Sequence, residues 1–193
     1  MSRFTLKALR NARIPLISKF DPSINWLAME AQGVYFEDPP EGGELYNAKK
    51  HTDLVVCRDG ETPIKFYAHS PTTKEQIVAF DMAGMEVDSE SGARYLGSSG
   101  GATQYLPGNG ALVGMTSACK CLALLCIDTV EGLEISLPEK EVNAYGLKQQ
   151  SDAFIQAISP VDEEGRAYEE FADMILEEIG AVFLSGDDDE AGN

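Results

Sequence analysis

The sequence predicts an α+β fold: a small antiparallel β-hairpin or sheet packed on a buried central helix, followed by a C-terminal helical pair. Three observations predict it. Residues 111–130 form the most apolar stretch, with Lys120 and Asp128 its only charges, and a helix apolar nearly all round is a buried one. Residues 53–58 and 63–69 are apolar runs separated by Asp59 and Gly60, which is hairpin patterning. Near the C-terminus Tyr168, Phe171, Ile175, Ile179 and Val182 recur at spacings of three and four, one stripe of an amphipathic helix.

The chain has 193 residues, enough for one domain with a real core. Three regions are expected: a basic N-terminal arm over 1–20, a single α+β domain over 21–185, and a disordered acidic tail over 186–193. The arm contains Arg3, Lys7, Arg10, Arg13 and Lys19 and no acid, with Phe4, Leu6, Leu9 and Ile14 interleaved. Its bland reading is a solvated terminus resting on the acidic body. Its functional reading is a docking segment, with Phe4, Leu6, Leu9, Arg10 and Arg13 as the candidate partner-binding residues.

Each element has its own signal. Residues 24–31 start a short apolar piece around Trp26, expected in the core, and Asp38, Pro39, Pro40, Gly42 and Gly43 mark a loop. Residues 53–58 read as a strand, Asp59–Gly60 as its turn, and Ile64, Phe66 and Ala68 alternate on the return strand. Pro71 breaks the pattern, and Thr72 with Glu75 forms a capping box ahead of Ile77, Val78 and Phe80. Residues 89–110 are rich in Ser and Gly and read as a long loop. Thr116 or Ser117 is the expected N-cap of the central helix and Gly132 its stop. Residues 133–137 alternate as a strand, a helix is expected from Pro138 to about Ile158 with Gly146 its weak point, and the last helix is expected to begin at Ser159 and Pro160.

Charge excludes some functions. With 32 acidic against 15 basic side chains the net charge is -17, a field that repels phosphate backbones and anionic lipid. Direct nucleic-acid binding and membrane binding are therefore not expected. No continuous apolar run follows the basic start, so a secretory signal does not fit; the central helix is too interrupted to supply the about 20 apolar residues of a membrane span. These features point to a soluble, cytoplasmic protein.

The chemistry-bearing motifs give little. Gly97, Ser99 and Gly101 match G-x-S-x-G, but Pro107 and Gly108 follow where a nucleophile elbow needs a helix, and His51 and His69 lie upstream. No Gly-Lys-Ser/Thr closes these glycines into a phosphate cradle. Cys57, Cys119, Cys121 and Cys126 read as reduced thiols, mostly small hydrophobes in the central helix. A metal reading would need Cys57 and His51 or His69 to converge on that helix, and Cys-x-Cys is not a zinc-knuckle spacing. No catalytic residue, cofactor or metal ligand is assigned, and the chain is read as non-enzymatic.

One resemblance adds a partner class. Residues 58–70, leading into a helix, and an apolar helix closing in Thr129, Val130, Glu131, Gly132 and Leu133 resemble the small tail assembly chaperones of long-tailed bacteriophages, as do Leu137, Pro138 and Glu139 and the helices after them. The match spans at most residues 53–158. It departs where Thr129 or Val130 stands in place of a tryptophan, and where the Gly/Ser-rich loop replaces a charged helical stretch. The resemblance implies a virion assembly factor in the host cytoplasm that shields apolar surfaces of tail tube or tape measure subunits, with homo-oligomerisation an open option. Two alternatives remain. An acidic DNA-mimic decoy is suggested by the twelve acids and one base from Val161 onward, and a structural virion subunit is the bland reading.

Overall fold

A computed structural model describes residues 13–83, 85–87, 94–96, 109–133, 137–159 and 168–184. Elements are numbered among these residues. In chain order they are β1 (Arg13–Leu16), α1 (Trp26–Glu30), β2 (Val34–Tyr35), β3 (Glu44–Leu45), β4 (Lys65–His69), α2 (Thr73–Met82), β5 (Met85–Val87), β6 (Arg94–Leu96), α3 (Asn109–Cys126), β7 (Ile127–Glu131), β8 (Glu141–Val142), β9 (Lys148–Gln149), α4 (Asp152–Ile158) and α5 (Glu169–Val182). The fold is α+β, as the sequence predicts.

The sheet is built differently from the expected hairpin. β4 is the centre of a three-stranded antiparallel sheet of order β1-β4-β7. Its first partner is Arg13–Leu16, the end of the basic N-terminal region, and residues 53–58 form no strand beside it. Asp59 and Gly60 do turn, with Gly60 at φ +82°. The chain cannot fold straight back, however, because the segment before the turn is already engaged: Cys57 bridges Ile24, and Val55 and Val56 pack on a second, smaller core. That core contains Ile17, Ile24, Met29, Val34, Tyr46 and Ala48. Trp26, expected in the core, is half-buried at its edge. Asp21 fastens the two parts together, its carboxylate accepting from the Ser23 and Ile64 backbone N–H groups at 2.9 and 2.6 Å.

The central helix is real and buried on several sides. Leu122, Ala123, Leu125 and Cys126 meet Leu16, Phe66 and Ala68 of the sheet, Val78 and Ala79 of α2, Phe154 and Ile158 of α4, and Ala172, Ile175, Leu176 and Ile179 of α5 in one core. Its boundaries differ from expectation. α3 begins at Asn109 rather than after Thr116 or Ser117, and ends at Cys126. Residues 127–131 are β7, because Ile127, Thr129 and Val130 are β-branched and β4 offers them an open edge. Gly132, at φ +89°, therefore ends a strand rather than a helix, and a Cβ there would stand 2.4 Å from the Pro63 carbonyl oxygen.

The expected helix from Pro138 to Ile158 is three elements. β8 and β9 form a small hairpin around Gly146, at φ +72°, and only Asp152–Ile158 is helical. Residues 94–96, expected in a loop, pair with residues 85–87, and Asn109 and Gly110 already belong to α3. The strand expected over 133–137 and the start of the last helix fall largely outside the described residues, as does the acidic tail. In α5 the apolar stripe faces the core as expected at Ile175 and Ile179, whereas Tyr168 is exposed. The backbones of α5 and α3 approach closely: a Cβ on Gly180 would lie 1.8 Å from the Cys119 carbonyl oxygen.

Candidate functional site

Of the residues singled out for partner binding, Phe4, Leu6, Leu9 and Arg10 lie outside the described residues, and Arg13 is exposed at the start of edge strand β1. Ser99 also lies outside them. Three other features stand out.

The first is a set of exposed apolar side chains where the turn of the β8–β9 hairpin is tied to α2. The Lys74 ammonium donates to the Tyr145 carbonyl at 3.3 Å, the Tyr145 hydroxyl donates to Asp81, and the Asn143 amide reaches the Met82 sulfur at 3.7 Å. Lys74 and Asp81 are seven residues apart and share a helix face, so Ile77 lies beside the line that joins them. Ile77 is 63% exposed, Val142 is 66% exposed, and Tyr145 adds part of its ring. The polar contacts tie Tyr145 and Asn143 to α2 and leave Ile77 and Val142 exposed.

The second feature is a cleft of about 220 Å³ lined by Lys19, Phe20, Trp26, Phe36, Arg58 and Phe171 among others. Its aromatic rings meet edge to face: Phe20 on Phe36 at 5.6 Å, Trp26 on Phe36 at 5.1 Å and Phe20 on Phe171 at 6.4 Å. The Lys19 ammonium lies 4.8 Å from the Phe36 ring centre, a cation–π distance. Lys19 also stands at a second cleft, where its backbone N–H and the Ser18 hydroxyl both donate to Glu178. Burial pushes the Glu178 carboxyl up, against the pull of those two donors and the Lys19 charge.

The third feature is a polar centre beneath the junction of α3 and β7. His69 ends β4 and stands between two carboxylates: its Nδ1 is 3.1 Å from Asp128 and its Nε2 3.1 Å from Glu75. Pairing passes from Tyr67↔Thr129 to Ala68↔Ile127, so Asp128 is the extra residue of a bulge, which re-aims its side chain. Glu75 completes the expected capping box with Thr72. Burial alone would raise its pKa, but the Thr72 and His69 contacts outweigh it and hold the carboxyl below its ordinary value. Lys140 donates to the Leu125 carbonyl at 3.1 Å and to Asp128 at 3.2 Å, and Gln150 satisfies the Leu124 and Ile127 carbonyls, so the buried end of α3 is capped from outside.

All four cysteines are free thiols. Burial, with the Glu75 charge behind it, pushes the Cys126 thiol up to about 12. Burial together with Glu177 carries Cys119 up to about 11. Thiols of that kind are poor nucleophiles at neutral pH. Cys57 and His51 do not converge on α3: Cys57 lies 3.7 Å from the Ser23 hydroxyl, and buried His51 accepts from the Asn47 N–H at 2.9 Å. His69 does reach the helix, and it meets Cys126 there rather than Cys57. The available signal was the H-S-P-T-T-K-E run, in which His69 and Glu75 flank the strand-to-helix turn. Cys126 carried no signal beyond its apolar neighbours.

Among the described residues no helix is long and apolar enough to cross a membrane. Comparison of the chain with protein-family models, curated proteins and solved structures finds no match. The functional reading therefore rests on the chain's own residues.

Proposed function

We propose that this chain is a non-enzymatic assembly factor that binds virion structural subunits, tail tube or tape measure proteins, through protein–protein contacts in the host cytoplasm. The observation that carries the reading is the exposure of Ile77 on α2 and of Val142 and Tyr145 on the hairpin whose turn is tied to it, on a chain of net charge -17. Exposed apolar side chains held by a polar frame suit a docking surface, and a strong like charge keeps such complexes soluble.

The family part of the proposal rests on the resemblance carried by residues 58–70 and by the apolar helix closing at residues 129–133. Its strand-to-helix unit corresponds to β4, the Thr72–Glu75 cap and α2. Its apolar helix corresponds less well, since residues 127–131 are strand.

Native capture with tagged full-length chain tests the proposal. Wild type is expected to retain tail structural subunits through a high-salt wash, because apolar contacts are not screened. Ile77→Asp and Val142→Asp are expected to lose them. Recovery of a nuclease or other DNA-binding protein, released by salt or by competing duplex DNA, would replace this proposal with the decoy.

A further inference from the structure

We propose that His69, Glu75 and Cys126 form a binding site for a zinc-like divalent transition metal. One donor atom from each residue lies within 4.8 Å of the other two, and the His69 Nε2 and Glu75 Oε1 atoms are already 3.1 Å apart. Two ligands of a tetrahedral zinc, each about 2.0–2.1 Å from the ion, stand at close to that separation. The sulfur has to approach by a short distance. Nitrogen, sulfur and one carboxylate oxygen form a borderline-soft donor set, which favours zinc over magnesium or calcium. Water would take the fourth position.

The surroundings fit a metal-bound histidine. Asp128 stands 3.1 Å from Nδ1 and accepts its proton, so a metal bound at Nε2, 3.1 Å from Glu75 Oε1, takes that nitrogen's lone pair in place of any proton shared with Glu75. A carboxylate behind a ligating histidine is the usual way its tautomer and orientation are fixed. Glu75 uses Oε2 for both Thr72 contacts, so Oε1 is the oxygen left for a metal. The neighbouring cation, Lys140, is turned to Asp128 Oδ1 and the Leu125 carbonyl rather than to the three donors. Cys126 is fully buried while His69 and Glu75 are 22% and 14% exposed at the side chain, so the ion enters from the histidine side. On binding, the Cys126 S–H proton passes to solvent and the thiolate becomes the ligand.

Such an ion would join the end of β4, the first turn of α2 and the junction of α3 with β7. This inference is independent of the partner proposal. Full-length protein, freed of metal under reducing conditions, is titrated with Co²⁺ and then with Zn²⁺. One equivalent of Co²⁺ is expected to give tetrahedral visible bands with a near-ultraviolet thiolate charge-transfer band, displaced by Zn²⁺. Zinc is also expected to raise Tm by about 5 °C when well above its Kd.

Cys126→Ala removes the charge-transfer band, whereas Cys57→Ala, Cys119→Ala and Cys121→Ala keep it. His69→Gln and Glu75→Gln weaken binding at least tenfold, and Asp128→Asn weakens it by about 10–100-fold. Absence of the thiolate band, its survival in Cys126→Ala, or unchanged affinity in both His69→Gln and Glu75→Gln overturns the site. If Cys126→Ala does not fold, X-ray absorption on zinc-loaded wild type decides: one sulfur in the coordination shell supports the site, and none or more than one overturns it.

Discussion

Thr72, Gly180 and Glu178 show how single residues set the local energetics. Thr72 accepts from the Glu75 N–H while Glu75 reaches back to the Thr72 N–H, so Thr72→Ala is expected to cost about 1 kcal/mol in chemical denaturation. A loss within error would mean that α2 is held by packing alone. Gly180 permits backbone contact between α3 and α5, and Gly180→Ala is expected to cost about 2–3 kcal/mol or more, because the obstacle is a carbonyl oxygen and not a movable side chain. Glu178 gives a pH signature. Its folded pKa lies above the unfolded one through burial, so the charged form is penalised above the folded pKa and the penalty vanishes as pH falls below the unfolded pKa. Thermal melts should therefore show Glu178→Gln gaining most over wild type at mildly alkaline pH, with the gain shrinking in acid. A pH-independent difference would contradict that assignment.

At the level of elements, the capping box, the buried helix and the α5 stripe were legible because each is a local pattern. Thr72 and Glu75 are three residues apart, and Ile175 and Ile179 four. Strand pairing was not legible. β4 takes Arg13–Leu16 and Ile127–Glu131 as neighbours, and both contacts span dozens of residues. A turn at Gly60 made residues 53–58 look like the partner, but their valines were claimed by the second core. The helix-to-strand change at Cys126 was hidden because an apolar run looks alike in both states until β-branching is weighed. The same blindness covered the His69 centre, which needs β4, α2 and α3 to meet. Leu122, in the middle of that meeting, makes the element-scale test: Leu122→Ala is expected to destabilise the whole domain by about 2–5 kcal/mol in a single cooperative transition. Separate melting of the two cores would contradict their unfolding as one cooperative unit.

For the whole molecule, composition pointed to a folded protein, local patterning to its α+β class, and neither gave a site. A net charge of -17 with a well-formed apolar core describes a folded acidic protein, and the exposure of Ile77 and Val142 depends on tertiary packing that no local pattern carries. The basic start of the chain is partly structural, since Leu16 is fully buried and Arg13 leads into the sheet. The most direct measurement is the affinity of full-length wild type and of Ile77→Asp for a purified tail structural subunit, measured over a salt series. The assembly reading predicts an affinity that changes little with salt and falls at least tenfold in Ile77→Asp. An affinity that collapses with added salt and is indifferent to Ile77→Asp would contradict it.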